Sequence, residues 1–139
     1  MKTFISKSAE NTIKIGLAIA KNIKNRDIIC LIGPLGAGKT VLAQSICKGL
    51  KVKDFVNSPS YKIVNQYNGK YPVYHIDLYR LNSVKEIDEL GLDDYIYDEG
   101  ITIIEWADKL EKKNLPKKRI EIKIEIKSEN ERYIKWQRY

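Results

Sequence analysis

Gly33-Pro34-Leu35-Gly36-Ala37-Gly38-Lys39-Thr40 reads as Gly, four residues, then Gly-Lys-Thr, the Walker A spacing that builds a phosphate cradle. Glycines let the backbone bend closely around an anion and adopt positive φ. The amides of Gly36, Ala37, Gly38 and Lys39 can then converge as an anion nest, and a following helix start adds its partial positive charge. In such a loop Lys39 reaches the β and γ phosphates, and the Thr40 hydroxyl ligates Mg²⁺. Phosphoryl chemistry also needs a carboxylate at the end of a neighbouring strand. Asp77 closes the apolar run 72–77 and Glu105 closes 101–105. Both stand where a strand stops, at the sheet edge where open α/β sheets bind ligands. Composition does not rank the two. His75, the single histidine, reads as a packed, hydrogen-bonded side chain. Arg80 is a candidate for phosphate, RNA or the nearby acids. Trp106 either packs or stacks on a base.

The elements around these residues must hold them together. Residues 27–32 form a short apolar run, as a fully buried parallel strand does. The helix after the loop is predicted over about 39–50, with Leu42, Ile46 and Leu50 on one stripe. An earlier amphipathic helix is predicted over 8–24, capped by Ser8, with Ala9, Ile13, Leu17, Ala20 and Ile23 on its apolar face. Residues 60–67 and 71–77 look extended, and Asn68-Gly69 between them signals a hairpin. Ser83 with Glu86 suggests a capping box for a short helix over 83–90, stopped by Gly91. Residues 101–105 read as a second buried strand. Residues 119–127 alternate strictly, Ile120, Ile122, Ile124 and Ile126 against charges, and Ser128-Glu129-Asn130 turns the chain back into 131–138. The order predicts an α/β fold with a P-loop NTPase-type sheet, parallel in the centre with antiparallel edge hairpins.

A chain of 139 residues with 43% hydrophobic content fits one domain spanning 1–139 with a real core. No apolar run reaches the roughly 18 residues of a membrane helix, and residues 1–6 lack the apolar stretch of an export signal. Two cysteines, Cys30 and Cys47, cannot make a disulfide framework or a four-ligand zinc site; both read as small core residues. These bounds point to an intracellular protein. The net charge is +7, unevenly spread: residues 1–85 carry 14 basic and 4 acidic side chains, residues 86–108 carry 9 acidic and no basic ones. The basic excess suits either an anionic partner or a solvated lysine-rich surface.

Absent segments narrow the class. No Asn-Lys-x-Asp run reads guanine, and no Leu-Ser-Gly-Gly-Gln marks a transporter ATPase. A small metabolite kinase remains open, although an arginine-rich lid is not evident among 5 arginines. A nucleotide-dependent assembly factor without useful hydrolysis also remains open.

The Walker A loop is followed in order by Ser58-Pro59-Ser60-Tyr61, His75-Ile76-Asp77-Leu78-Tyr79-Arg80-Leu81 and Ile104-Glu105-Trp106-Ala107-Asp108. Together these resemble the TsaE family, the bacterial P-loop ATPase of tRNA threonylcarbamoyladenosine biosynthesis, over nearly the whole chain. The resemblance implies a cytoplasmic, Mg²⁺-dependent ATPase that resets or releases the two-subunit transferase TsaB–TsaD between turnovers on tRNA. It implies no membrane or DNA partner. It implies a catalytic set of Lys39, Asp77 and Glu105, with Thr40 and Glu105 as Mg²⁺ ligands and Asp77 ordering the attacking water. It implies ATP contacts at Thr12, Gly36, Ala37, Gly38, Lys39, Thr40, Val41 and Arg132, and a switch-like loop at Ser58–Tyr61. The chain departs from the family at Ser60 and Val41, where threonine is usual, and at Pro34, where an acid is common.

Overall fold

The computed structural model describes residues 1–54, 56, 63–96 and 99–139. The chain runs β1 (Lys2–Ser6), α1 (Ala9–Ala20), β2 (Ile28–Ile32), α2 (Lys39–Gly49), β3 (Val64–Asn68), β4 (Pro72–Asp77), α3 (Val84–Glu89), α4 (Asp93–Ile96), β5 (Ile101–Glu105), two short 3₁₀ turns (Ala107–Lys109 and Lys112–Asn114), β6 (Ile120–Ile126) and β7 (Arg132–Arg138). The strands form one sheet in the order β1-β7-β6-β2-β5-β4-β3. β2 is parallel to β5 and β6, and β4 is parallel to β5. The β3–β4, β6–β7 and β1–β7 pairs are antiparallel. The sheet is therefore parallel at its centre and antiparallel at its edges, as predicted.

Strand alternation divides the core into two layers. Ile29, Leu31, Ile101, Ile103 and Ile122 face α1 and α2, against Ile15, Ile19, Leu42 and Ile46. Cys30, Ile76 and Ile104 point the other way, against Ile87 of α3 and Ile96 of α4. All five β5 residues are buried, as expected of a central strand covered on both faces. Burial pushes both thiols, Cys30 and Cys47, up to about 12, with Glu121 reinforcing the first and Glu105 the second. Both cysteines are inert core residues at neutral pH.

Strand β1 is an element without a sequence signal, because only Ser6 of its five residues is buried and no hydrophobic run announces it. Helix α1 does start at Ser8, whose hydroxyl accepts from the Asn11 amide at 3.0 Å, but it ends at Ala20 rather than 24. Its inward face is Thr12, Ile15, Gly16, Ile19 and Ala20, while Ile13 is exposed. The cause is close packing of α1 on α2. A Cβ on Gly16 would lie 2.4 Å from Ser45 Cβ, and one on Gly49 would lie 2.4 Å from Ala20 Cβ. Small residues, not large apolar ones, mark this contact. We expect Gly16→Leu to lower stability by about 3 kcal/mol through overpacking, read as a shift of the urea midpoint; an unshifted midpoint would mean the helices part freely.

The Asn68-Gly69 hairpin also differs in its reason. Asn68 pairs with Pro72, leaving three connecting residues, and the glycines with positive φ are at 36, 38, 91 and 100. Gly69 is needed for proximity: a Cβ there would sit 2.5 Å from the Leu50 carbonyl oxygen. Ser83 caps α3 by accepting from the Glu86 amide at 3.1 Å, and Gly91 takes φ +69 just beyond it. The Ser58–Tyr61 loop and the start of the predicted strand 60–67 lie outside the described residues.

Candidate active site

The loop joining β2 to α2 bends through Gly36 at φ +79 and Gly38 at φ +100, and a Cβ at either position would meet nothing within 4 Å. Backbone conformation, not crowding, requires these two glycines. Gly33 is held by proximity, since a Cβ there would lie 2.9 Å from the Ile124 carbonyl oxygen. Ala37 is buried beneath the loop. No side chain caps the first turn of α2, so its amides are left to the cleft. Val41 completes that turn beside Thr40.

Lys39 is only 6% exposed. Its Nζ donates to the carbonyls of Gly33 at 2.5 Å and Pro34 at 2.8 Å, and sits 4.1 Å from the centre of the Trp106 ring. Burial lowers its pKa, while the carboxylates of Glu105, Asp108 and Asp77 oppose that shift. Trp106 follows β5 in a left-handed conformation, φ 61, and its ring also meets Tyr79 at 5.0 Å.

Register brings the two candidate carboxylates side by side, because Asp77 of β4 pairs with Glu105 of β5. Their neighbours decide what each does. The Thr40 hydroxyl donates to Glu105 Oε1 at 3.4 Å. Glu105 Oε2 lies 2.5 Å from His75 Nε2. Asp77 Oδ1 accepts from the Tyr79 amide at 2.9 Å, so it is tied to the loop that follows it. Lys39, Thr40, Asp77, Glu105 and Trp106 line one cleft of about 320 Å³.

Arg132 reaches the cradle from β7, two strands away from β2. Its Nη1 donates to the carbonyls of Ser128, Glu129 and Glu131, and its Nη2 lies 3.5 Å from the Gly36 carbonyl oxygen. Thr12 shares a 2.6 Å hydrogen bond with Ser6, and Ser6 is the β-ladder partner of Arg132. Gly16 faces Ser45 and Gly49 faces Ala20, so α1 and α2 run in the same direction and Thr12 stands at the end where α2 begins. The fold thus gathers Thr12 and Arg132 near the loop, although the Thr12 hydroxyl is engaged by Ser6. Arg80 is exposed beyond the cleft.

Two contacts were not read in the sequence. His75 is indeed a packed, hydrogen-bonded side chain, but its partner is Glu105. The signal was its position two residues before Asp77, which places both on one sheet face. Trp106 packs, as one reading had it, and its partner is the Lys39 ammonium.

An open α/β sheet, parallel at its centre, with a glycine-rich loop between β2 and α2, defines the class. The family described as threonylcarbamoyl adenosine biosynthesis protein TsaE matches residues 6–134. The tRNA threonylcarbamoyladenosine biosynthesis protein TsaE of Bacillus subtilis is 39% identical over 126 residues, covering 90% of this chain and 78% of that protein. The protein of the same description from Aquifex aeolicus is 38% identical over 138 residues, covering 97% and 95%. The crystal structure of Bacillus subtilis YdiB superposes with a TM-score of 0.82 at 32% identity, covering 97% of this chain and 83% of that one. The chain belongs to the TsaE family, whose members are described as proteins of threonylcarbamoyladenosine biosynthesis. No helix among the described residues is long and apolar enough to cross a membrane.

Proposed function

We propose that this protein is a Mg²⁺-dependent ATPase of tRNA threonylcarbamoyladenosine formation, and that its hydrolysis cycles the TsaB–TsaD transferase, through which it meets tRNA. The observation that carries the proposal is the Thr40 hydroxyl facing the Glu105 carboxylate at 3.4 Å beside the Lys39 ammonium. The residues fit the ligands. The open space over Gly36 and Gly38 admits a polyphosphate.

In this reading the amides of residues 36–41 bind phosphate oxygens, with Thr12 and Arg132 completing the nucleotide contacts. A phosphate in the loop competes with the Gly33 and Pro34 carbonyls for Lys39, which turns to it. Mg²⁺, held by Thr40 and Glu105, supplies charge neutralisation on the transferring phosphoryl group. Asp77, fixed by the Tyr79 amide, is placed to orient the attacking water. Catalysis then rests on positioning and electrostatics rather than on a covalent intermediate.

Arg132 is held by the carbonyls of Ser128, Glu129, Glu131 and Gly36 and must leave some of them to contact nucleotide. Turnover by the chain alone should therefore fall far below the ~10 s⁻¹ of a median enzyme, and partners should accelerate it by completing the site. The test is ATP hydrolysis by the purified protein, alone and with the TsaB–TsaD pair. Stimulation by the pair is expected; fast turnover alone, or indifference to the pair, would reject the cycling role.

A further inference from the structure

We propose that His75 is a positioning residue for Glu105: its Nε2–H holds Oε2 so that Oε1 faces the Thr40 hydroxyl and the cation shared with it. The inference rests on the nucleotide-site reading above. Val73, His75 and Asp77 alternate onto the α2 side of β4, and Ile101, Ile103 and Glu105 do so on β5. His75 pairs in register with Ile103, so Glu105 is its diagonal neighbour, within reach of the imidazole. His75 is fully buried and Glu105 is 2% exposed. A buried carboxylate needs hydrogen bonds to replace its lost water. Glu105 has one on each oxygen, from Thr40 at 3.4 Å and His75 at 2.5 Å.

The tautomer follows from the contacts. Neutral imidazole has one donor and one acceptor nitrogen. His75 Nδ1 is buried with no hydrogen-bond partner among the described residues. A proton on Nδ1 would bury an unsatisfied donor and set the Nε2 lone pair against a carboxylate oxygen. A proton on Nε2 removes both penalties. The carboxylate then has Oε2 anchored by His75 and Oε1 turned to the Thr40 hydroxyl, where the two would share the ion. This is the arrangement by which residues behind a metal ligand fix its orientation.

Because His75 is the only histidine, its two ring nitrogens can be identified by ¹⁵N NMR of the unmodified protein. The expected result is an Nε2–H tautomer whose signal moves in Glu105→Gln; an Nδ1–H tautomer overturns the proposal. The second measurement is calorimetric ADP binding with Mg²⁺ and with EDTA. His75→Phe should raise the Mg²⁺ concentration for half-maximal effect about tenfold, leaving Mg²⁺-free ADP affinity within about twofold. His75→Gln, whose amide nitrogen can stand near the Nε2 position, should restore most of the difference. An unchanged Mg²⁺ requirement in folded His75→Phe, or equal losses with and without Mg²⁺, would also overturn it. If His75→Phe does not fold, the tautomer of the unmodified protein decides. Failure of the unmodified protein to bind ADP at all would instead remove the nucleotide reading, and the tautomer would still report on the hydrogen bond.

Discussion

Lys39→Ala is expected to bind ATP at least about 100-fold more weakly and to lose hydrolysis by about 1000-fold or more. Hydrogen bonds to charged groups contribute about 1.5–3 kcal/mol each, and the lysine would make two or more to phosphate oxygens. Each 1.4 kcal/mol is a factor of ten in affinity. The catalytic loss should exceed the binding loss, because charge shifts on the phosphoryl oxygens as the transition state forms, and removing one preorganised donor typically costs about 100- to 1000-fold in rate. Stability should change little. The substitution leaves the Gly33 and Pro34 carbonyls without their donor, but it also removes a charge that is 6% exposed, and the two effects oppose each other. Calorimetric titration with a non-hydrolysable ATP analogue, paired with a thermal melt, separates them. A melt within a few degrees of the unmodified protein together with undiminished binding would show that Lys39 takes no part in the site.

Glu105→Gln should produce a different pattern. Nucleotide binding in EDTA should survive, the Mg²⁺-dependent gain should disappear, and hydrolysis should fall by about 100-fold or more. The amide can keep its carbonyl oxygen toward His75, which turns its NH₂ toward Thr40, where it repels a cation. The melting temperature should stay the same or rise, since a carboxylate with 2% exposure is replaced by a neutral group. A rise in stability with a fall in activity marks a residue kept for its chemistry. With TsaB–TsaD present, the variant should form a complex that does not cycle. A complex that turns over normally would return the chain to the role of an assembly factor for which hydrolysis is unimportant.

The parts of the site that were legible in the sequence are those carried by consecutive residues. Ile28–Ile32, the glycine-rich loop and Lys39–Gly49 are one unbroken strand–loop–helix segment, and each piece confirms its neighbours through local pattern. The ends of β4 and β5 were legible for the same reason: an apolar run stops at a carboxylate. Residue patterns by themselves do not choose between Asp77 and Glu105 as neighbour of Thr40; only the family resemblance pointed to Glu105. The choice depends on register, on the Tyr79 amide taking up Asp77, and on His75 and Thr40 converging on Glu105 across two strands and a helix. The inward face of α1 was misread because hydrophobicity and burial part company where helices approach closely. There Gly16 and Thr12 are inside, and Ile13 is outside. Strand β1 carries little sequence signal because its place is set by ladder bonds to β7, more than a hundred residues away, and Phe4 alone of its apolar residues packs against the core.

That last pairing has a consequence for how the protein is made. β7 lies between β6 and β1, and Lys2 pairs with Trp136. β1 therefore has no neighbour in the sheet until β7, more than a hundred residues later, has been synthesised. Ser6, which engages Thr12, also waits on Arg132. Closing so long a loop is entropically slow. A nascent chain translated through β5 would hold α1, β2, the glycine-rich loop, α2, β4 and β5, yet lack Arg132 and the strand that seats β1. If the loop takes nucleotide as proposed, its capture during synthesis should follow the arrival of β7. ATP would then stabilise chains that hold β7 over chains that do not, by mass action on the folded state alone.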